Sequence, residues 1–110
     1  MSRPTPFVTN TVTDAATGTV TLAVVGEFDA ATVPIFRASA QRVLELEPTA
    51  VMLDLSDTTL IDSAAIGAMA MYRTQLLDLD VDLQISAPLA YQQRLFEIVG
   101  LTHFLTLSSE

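Results

Sequence analysis

Asp62 and Ser63 put an acid and a hydroxyl side by side, in the turn between the strand-like apolar stretch "AVMLDLS" and the helix-like run "SAAIGAMA". The first N–H groups of a helix have no internal partners and carry the positive end of its dipole. A carboxylate there can cap the helix, a hydroxyl can act as a nucleophile, and bare backbone can receive an anion or another surface. Capping is ordinary chemistry: Asp62 can accept from the amides of Ala64 or Ala65, worth about 1 kcal/mol. Nucleophilic chemistry is poorly supplied, because the chain has no lysine, no cysteine and one histidine to serve as base. That histidine, His103, sits among Leu101, Phe104 and Leu105 and reads as a structural or surface residue. The segment also lacks the lysine and repeated glycines of a phosphate-binding loop. No catalytic residue, metal-ligand set or cofactor is expected. The small residues Ala64, Ala65, Gly67 and Ala68 leave the helix start uncluttered, so that a partner surface can approach closely.

Composition narrows the classes further. The chain has 110 residues, half of them apolar, which suits one compact domain with a real core. Thirteen acids against five arginines give a net charge of −8, which argues against nucleic acid and against anionic membrane surfaces. No apolar run reaches the ~20 residues of a membrane span, and Met1 to Asn10 is polar, unlike a signal-peptide core. The expected location is therefore the cytoplasm, and the absence of cysteine fits a reducing compartment.

The elements that must position the Asp62 turn follow from periodicity. Residues 1–6 read as a flexible tail, and 7–110 as one domain. "FVTNTV" (7–12) and "TVTLAVVG" (19–26) predict a hairpin of β-branched strands. Val33, Phe36, Ala40, Val43 and Leu44 then fall on one helical face, with Thr32 as N-cap, Pro34 in the first turn and Pro48 beyond the end. "AVMLDLS" (50–56) predicts a buried central strand. After the turn, Ile66, Met69, Ala70, Leu76 and Leu77 give a second helix to about Leu79, and "VDLQIS" (81–86) a further strand. Pro88 opens a third helix with Leu89, Leu95, Phe96 and Val99 inward and Gly100 as its stop, and "HFLTL" (103–107) is a short strand or a helical turn. Strands alternating with three helices imply an α/β fold: a mixed, mostly parallel sheet of four to five strands, with helices packed mainly on one face.

"VVGEFDAATVPIF", "AVMLDLSDTTLIDSAAIGAM" and "LQISAPLAYQQRLFEIVGL" resemble, in order and spacing, the three signature regions of STAS domains, and among them bacterial anti-sigma factor antagonists. The resemblance runs from about residue 7 to 107. It implies a protein that binds an anti-sigma factor, often a serine kinase of kinase-like ATPase fold, and so frees a sigma factor. It implies no enzymatic activity of its own, and a monomer or weak homodimer. In the family the turn that opens the second helix is the partner-binding and regulatory surface, here Asp62, Ser63, Ala64, Ala65, Ile66 and Gly67. The turn bearing Glu27 and Asp29 lies near it; Asp54 and Asp57 flank it. The ordinary alternative for Glu27 and Asp29 is that Gly26 shapes a tight turn while Asp29 helps to cap the first helix.

The chain departs from the family pattern at one decisive place. The phosphorylated hydroxyl lies two residues after the aspartate, and that position here is Ala64, with Ala65 where glycine is usual. Three readings follow: a constitutive antagonist, an alternative acceptor at Ser63, Thr58 or Thr59, or an engineered alanine. The alternative function is the STAS subunit of an ABC-type lipid transporter that stabilises its ATPase, which also needs no acceptor serine.

Overall fold

The computed structural model describes residues 7–98 and, for the backbone, 105–106. The predicted tail at 1–6, and Val99, Gly100 and His103, lie outside the described residues. Strands β1 (Val8–Asp14) and β2 (Thr19–Phe28) form the expected antiparallel hairpin, with Val8 opposite Val25 and Asp14 opposite Thr19. β3 (Ala50–Asp54) and β5 (Asp82–Ser86) continue the sheet in parallel, and β6 (Leu105–Thr106) pairs with β5, so the end of the chain adds a strand rather than a helical turn. The order across the sheet is β1-β2-β3-β5-β6. Helices α1 (Val33–Glu45), α2 (Ser63–Asp78) and α3 (Ala90–Ile98) fill the connections.

One strand was not expected. β4 (Thr58–Ile61) pairs in parallel with the last residues of β2, after β3 has paired with its first half. The apolar run at 50–56 supplies one strand, which ends at Asp54, and β4 follows it after a turn. Leu55 turns inward and is fully buried, its N–H donates to Ser86 O at 2.9 Å, and its carbonyl accepts from Thr58 N at 3.1 Å. β2 is long enough to serve both partners. Gly26, at φ +104°, sits where the register with β4 slips by a residue, so it accommodates a bulge inside β2 rather than a tight turn.

Register puts Val20, Val51 and Leu83 in one row and Leu22, Leu53 and Ile85 in the next, all on the face that carries the core. α1 covers that face with Val33, Phe36, Ala40 and Val43, and α2 with Ala65, Ile66, Ala68, Met69, Tyr72 and Leu76. Phe7, Phe28, Phe36 and Tyr72 form a chain of aromatic contacts through it, with centroids 5.7, 4.9 and 5.8 Å apart in turn. The opposite face of β2 and β3 carries Thr21, Ala23, Val25 and Met52, each only partly covered. The helices thus lie mainly on one face, as expected.

Two positions read as inward are exposed instead. Leu77 is exposed, because the buried stripe of α2 runs 65, 69, 72, 76 and leaves 77 a third of a turn away. Leu89 precedes α3 and is also exposed, while Gln92 takes the inward place.

Candidate docking site at the start of the second helix

Asp62 is the N-cap of α2, in extended backbone at φ −105° and ψ −178°. Its Oδ1 accepts from Ala65 N at 2.9 Å, the bond expected of a cap. Its Oδ2 accepts from Ala30 N at 3.1 Å, in the loop between β2 and α1. The backbone is held as firmly: Asp62 N donates to Phe28 O, and Asp62 O accepts from Ile66 N. Both carboxylate oxygens are thus occupied, and the turn is fixed to two neighbouring elements.

The β2–α1 loop has its own knot. Asp29 Oδ1 accepts from Ala31 N at 3.0 Å and from Thr32 N at 3.2 Å. The Thr32 hydroxyl donates to Glu27 O at 2.9 Å and accepts from Asp29 N at the same distance. Thr32 is the N-cap of α1 by position, yet its side chain makes no bond into the helix. Its hydroxyl turns back to brace the loop, and Asp29 orders the entry in its place. The Asp29 carboxylate therefore braces the loop that enters α1, and only its backbone carbonyl accepts from the first helical amide, Val33 N.

Glu27, Asp29, Asp57 and Asp62 all stand just past, or at, the carboxyl ends of the parallel strands β2, β3 and β4. Glu27 and Asp57 are exposed, and Asp57 O accepts from Gly26 N at 3.1 Å. Asp54 is tied down, its Oδ1 accepting from Ser56 N and from the Ser56 hydroxyl at 2.7 Å. Of these acids, Asp62 is the one that touches the start of α2.

The residues of the turn divide by exposure. Ala65 is fully buried, Ile66 nearly so and Ala64 half-buried, while Ser63 and Gly67 face solvent. A Cβ added to Gly67 would meet nothing within 4 Å, and its φ is that of an ordinary helical residue. Nothing among the described residues requires glycine there. Exposed Leu60 and Ile35 add apolar surface from β4 and α1. Of the three hydroxyls considered as acceptors, Ser63 and Thr59 are exposed, whereas Thr58 is 1% exposed and its Oγ1 donates to Val24 O at 2.7 Å. A hydroxyl so placed is closed to an enzyme.

Two further residues position the turn and were not anticipated. Gln92, fully buried, donates through Nε2 to Leu55 O at 2.8 Å and to Thr58 O at 3.2 Å. Tyr91 Oη donates to the same Thr58 O at 2.8 Å. α3 thereby holds the bend between β3 and β4, from which the chain runs into Asp62. A polar side chain buried for this purpose has no hydrophobic periodicity to announce it.

Among the described residues no cluster of His, Asp or Glu is placed to hold a metal ion, and no helix is long and apolar enough to cross a membrane. The family profile described as "Mlab, STAS domain" matches residues 11–107. An anti-sigma factor antagonist from Mycobacterium paratuberculosis has the same fold, with a TM-score of 0.83 at 22% identity over 100% of this chain and 92% of the other. The Bacillus cell fate determinant SpoIIAA in its phosphorylated form gives 0.70 at 20% identity, over 96% and 93%. A sulfate transporter family protein from Wolinella succinogenes gives 0.71 at 13% identity, over 86% and 79%. At these identities the likeness is one of fold. No curated protein sequence matches the chain.

Proposed function

Because the chain belongs to the STAS domain family, we propose that it acts as an anti-sigma factor antagonist, a cytoplasmic binding module that captures an anti-sigma factor and so frees a sigma factor. The observation that carries this reading is Gly67, exposed on the first turns of α2 and needed by nothing among the described residues. Helix-interior glycine costs about 1 kcal/mol relative to alanine. A surface that approaches the backbone closely gives that cost a purpose. The exposed acids Glu27 and Asp57, near the ends of the strands that lead to this turn, suit a partner that brings basic side chains to the rim and an apolar contact to Leu60 and Ile35. The partner in this reading is an anti-sigma factor of kinase-like ATPase fold. The protein itself needs no cofactor and performs no reaction.

Regulation follows from Ala64, which offers no hydroxyl to phosphorylate. The antagonist is then constitutive, controlled by its abundance. Were a phosphate added elsewhere on this surface, Ser63 and Thr59 are the exposed hydroxyls of the three considered. At Ser63 it would place nearly two negative charges beside Asp62.

A second reading, the STAS subunit of an ABC-type lipid transporter that stabilises its ATPase, draws on the same alanine, since that role uses no acceptor hydroxyl. The test is capture of partners from native lysate on the immobilised protein, with and without ATP, followed by mass spectrometry. A kinase-like anti-sigma factor retained equally in both conditions supports the constitutive antagonist. Release on adding ATP, with phosphate mapped to Ser63 or Thr59, overturns the constitutive part. A transporter ATPase in its place transfers the function to the second reading.

A further inference from the structure

Away from the Asp62 turn, α1 and α2 enclose a shallow groove of about 410 Å³ lined by Phe36, Ala40, Tyr72 and polar residues at its rim. Its charges are arranged in an unusual way. Arg37 leaves α1 and reaches across to α2, where its Nη2 lies 3.9 Å from Met71 Sδ. Asp78 also lines the groove, on the same stripe of α2 as Met71 and two turns further on. The separation along the helix is about 10 Å. Midway between them lies an uncharged pair, with Gln75 Nε2 donating to Gln41 Oε1 at 3.3 Å. Met71 is 64% exposed, so its apolar side chain lies largely open at the groove.

A stripe that is positive at one end, neutral in the middle and negative at the other is complementary to itself when reversed. We propose that the occupant of this groove is a second copy of the chain, related by a two-fold axis that crosses α2 at the level of Gln75. The axis lies in the plane of contact, so the two α2 helices run antiparallel. Arg37 of each copy meets Asp78 of the other, the Gln41–Gln75 pairs face each other at the centre, and each Met71 is covered by the neighbouring copy. The contact is isologous, as closed dimers require. It is small and polar-rimmed, which makes the dimer weak and reversible. Its first contacts, at Arg37 and Met71, lie one turn along α2 from exposed Gly67. Self-association at the groove and occupation of the Asp62 turn therefore press on adjacent surface. The proposal stands whatever partner binds that turn.

The experiment is sedimentation equilibrium of the full chain from about 10 µM to 1 mM, with charge reversals of the two exposed residues. Wild type is expected to associate to a dimer. Arg37→Asp alone and Asp78→Arg alone each replace two attractive pairs by two repulsive ones, and each is expected to weaken the dimer by about tenfold or more. The double variant Arg37→Asp with Asp78→Arg re-forms both pairs in reverse and is expected to recover the wild-type constant within about threefold. Far-UV circular dichroism confirms that each variant is folded. Absence of association at 1 mM overturns the proposal. So does a dimer indifferent to the single reversals, which would lie on another face such as the β1 edge. Failure of the double variant to recover does the same, as does a captured partner protein whose binding is lost on single reversal and not restored by the double, since the groove would then belong to that partner.

Discussion

The carboxylate of Asp62 meets the backbone N–H of Ala30 at 3.1 Å, across 32 residues of chain. The same carboxylate caps α2 through Ala65 N. One side chain therefore fixes the helix start and the β2–α1 loop relative to each other, and both contribute to the exposed edge where Glu27, Asp57 and Gly67 stand. The acid at this position is neither a free base nor a vacant ligand. Its work is to make two separate backbone segments into one surface.

Asparagine and alanine at Asp62 separate these two tasks. Asparagine has one acceptor oxygen and can serve one of the two amides, and the shorter bond to Ala65 N is the one it is expected to keep. Alanine serves neither. Asp62→Ala is expected to lose about 1–2 kcal/mol in urea denaturation, and Asp62→Asn about half of that. Hydrogen exchange gives the sharper check. The Ala30 amide exchanges faster in both variants, and the Ala65 amide in the alanine variant alone. Unchanged protection of Ala30 in the asparagine variant would show that the loop is held by its own Asp29–Thr32 knot.

Gly67 gives a prediction with opposite signs for folding and for binding. Alanine fits the helix and meets no neighbour. Gly67→Ala is therefore expected to stabilise the isolated protein by about 0.5–1 kcal/mol, or about 3–5 °C in melting temperature. The same methyl group would stand in the way of a closely approaching partner. Loss of binding to the captured partner, alongside the higher melting temperature, is the expected outcome. A stabilised variant that binds as well as wild type would leave the glycine without a role at the interface.

The sequence made much of this legible, and for physical reasons. The hairpin, α1 and β5 announce themselves through alternation or helical spacing, and the Asp62 cap through an acid in front of an apolar-periodic run. β4 did not, because "TTLI" is four residues long with two of them exposed, and only the unusual length of β2 gives it a partner. The Ala30 contact was invisible for a different reason: a backbone amide carries no trace in the identity of its residue. The family resemblance, rather than spacing, singled out the turn as a docking surface.

Gln92 is the clearest case of a core residue hidden from hydrophobic pattern, and its chemistry is testable. Its amide donates to the carbonyls of Leu55 and Thr58, but each carbonyl keeps another donor, Thr58 N for the first and Tyr91 Oη for the second. Gln92→Leu therefore leaves neither oxygen stranded and is expected to cost only about 1–2 kcal/mol. Gln92→Glu puts a fully buried carboxylate against two carbonyl oxygens and is expected to cost about 3 kcal/mol or more at neutral pH. Lowering the pH neutralises that carboxylate, so the glutamate variant, unlike the leucine variant, should regain stability relative to wild type between pH 7.5 and 5. Equal urea midpoints for the two variants at neutral pH would refute the donor role of the amide.

Tyr72 makes the fold sensitive to alkali. Burial between α1 and α2 pushes its phenol up to about 12, from an ordinary value of 10, while its Oη donates to Ala40 O at 3.1 Å. The native state thus holds the proton more tightly than the unfolded chain. Below pH 10 both states are protonated and the contribution to stability is complete. Above pH 10 the unfolded chain releases its proton first, so stability falls as pH rises, and the contribution is gone once the pH passes 12. The loss is expected to be about 2–3 kcal/mol over that window. Tyr72→Phe should cost about 1 kcal/mol at pH 7 through the lost hydrogen bond, and should remove most of the decline between pH 10 and 12. Urea denaturation of both proteins across that range is the measurement. Parallel curves would show that the alkaline loss arises elsewhere and that the Tyr72 phenol titrates no differently in the folded chain.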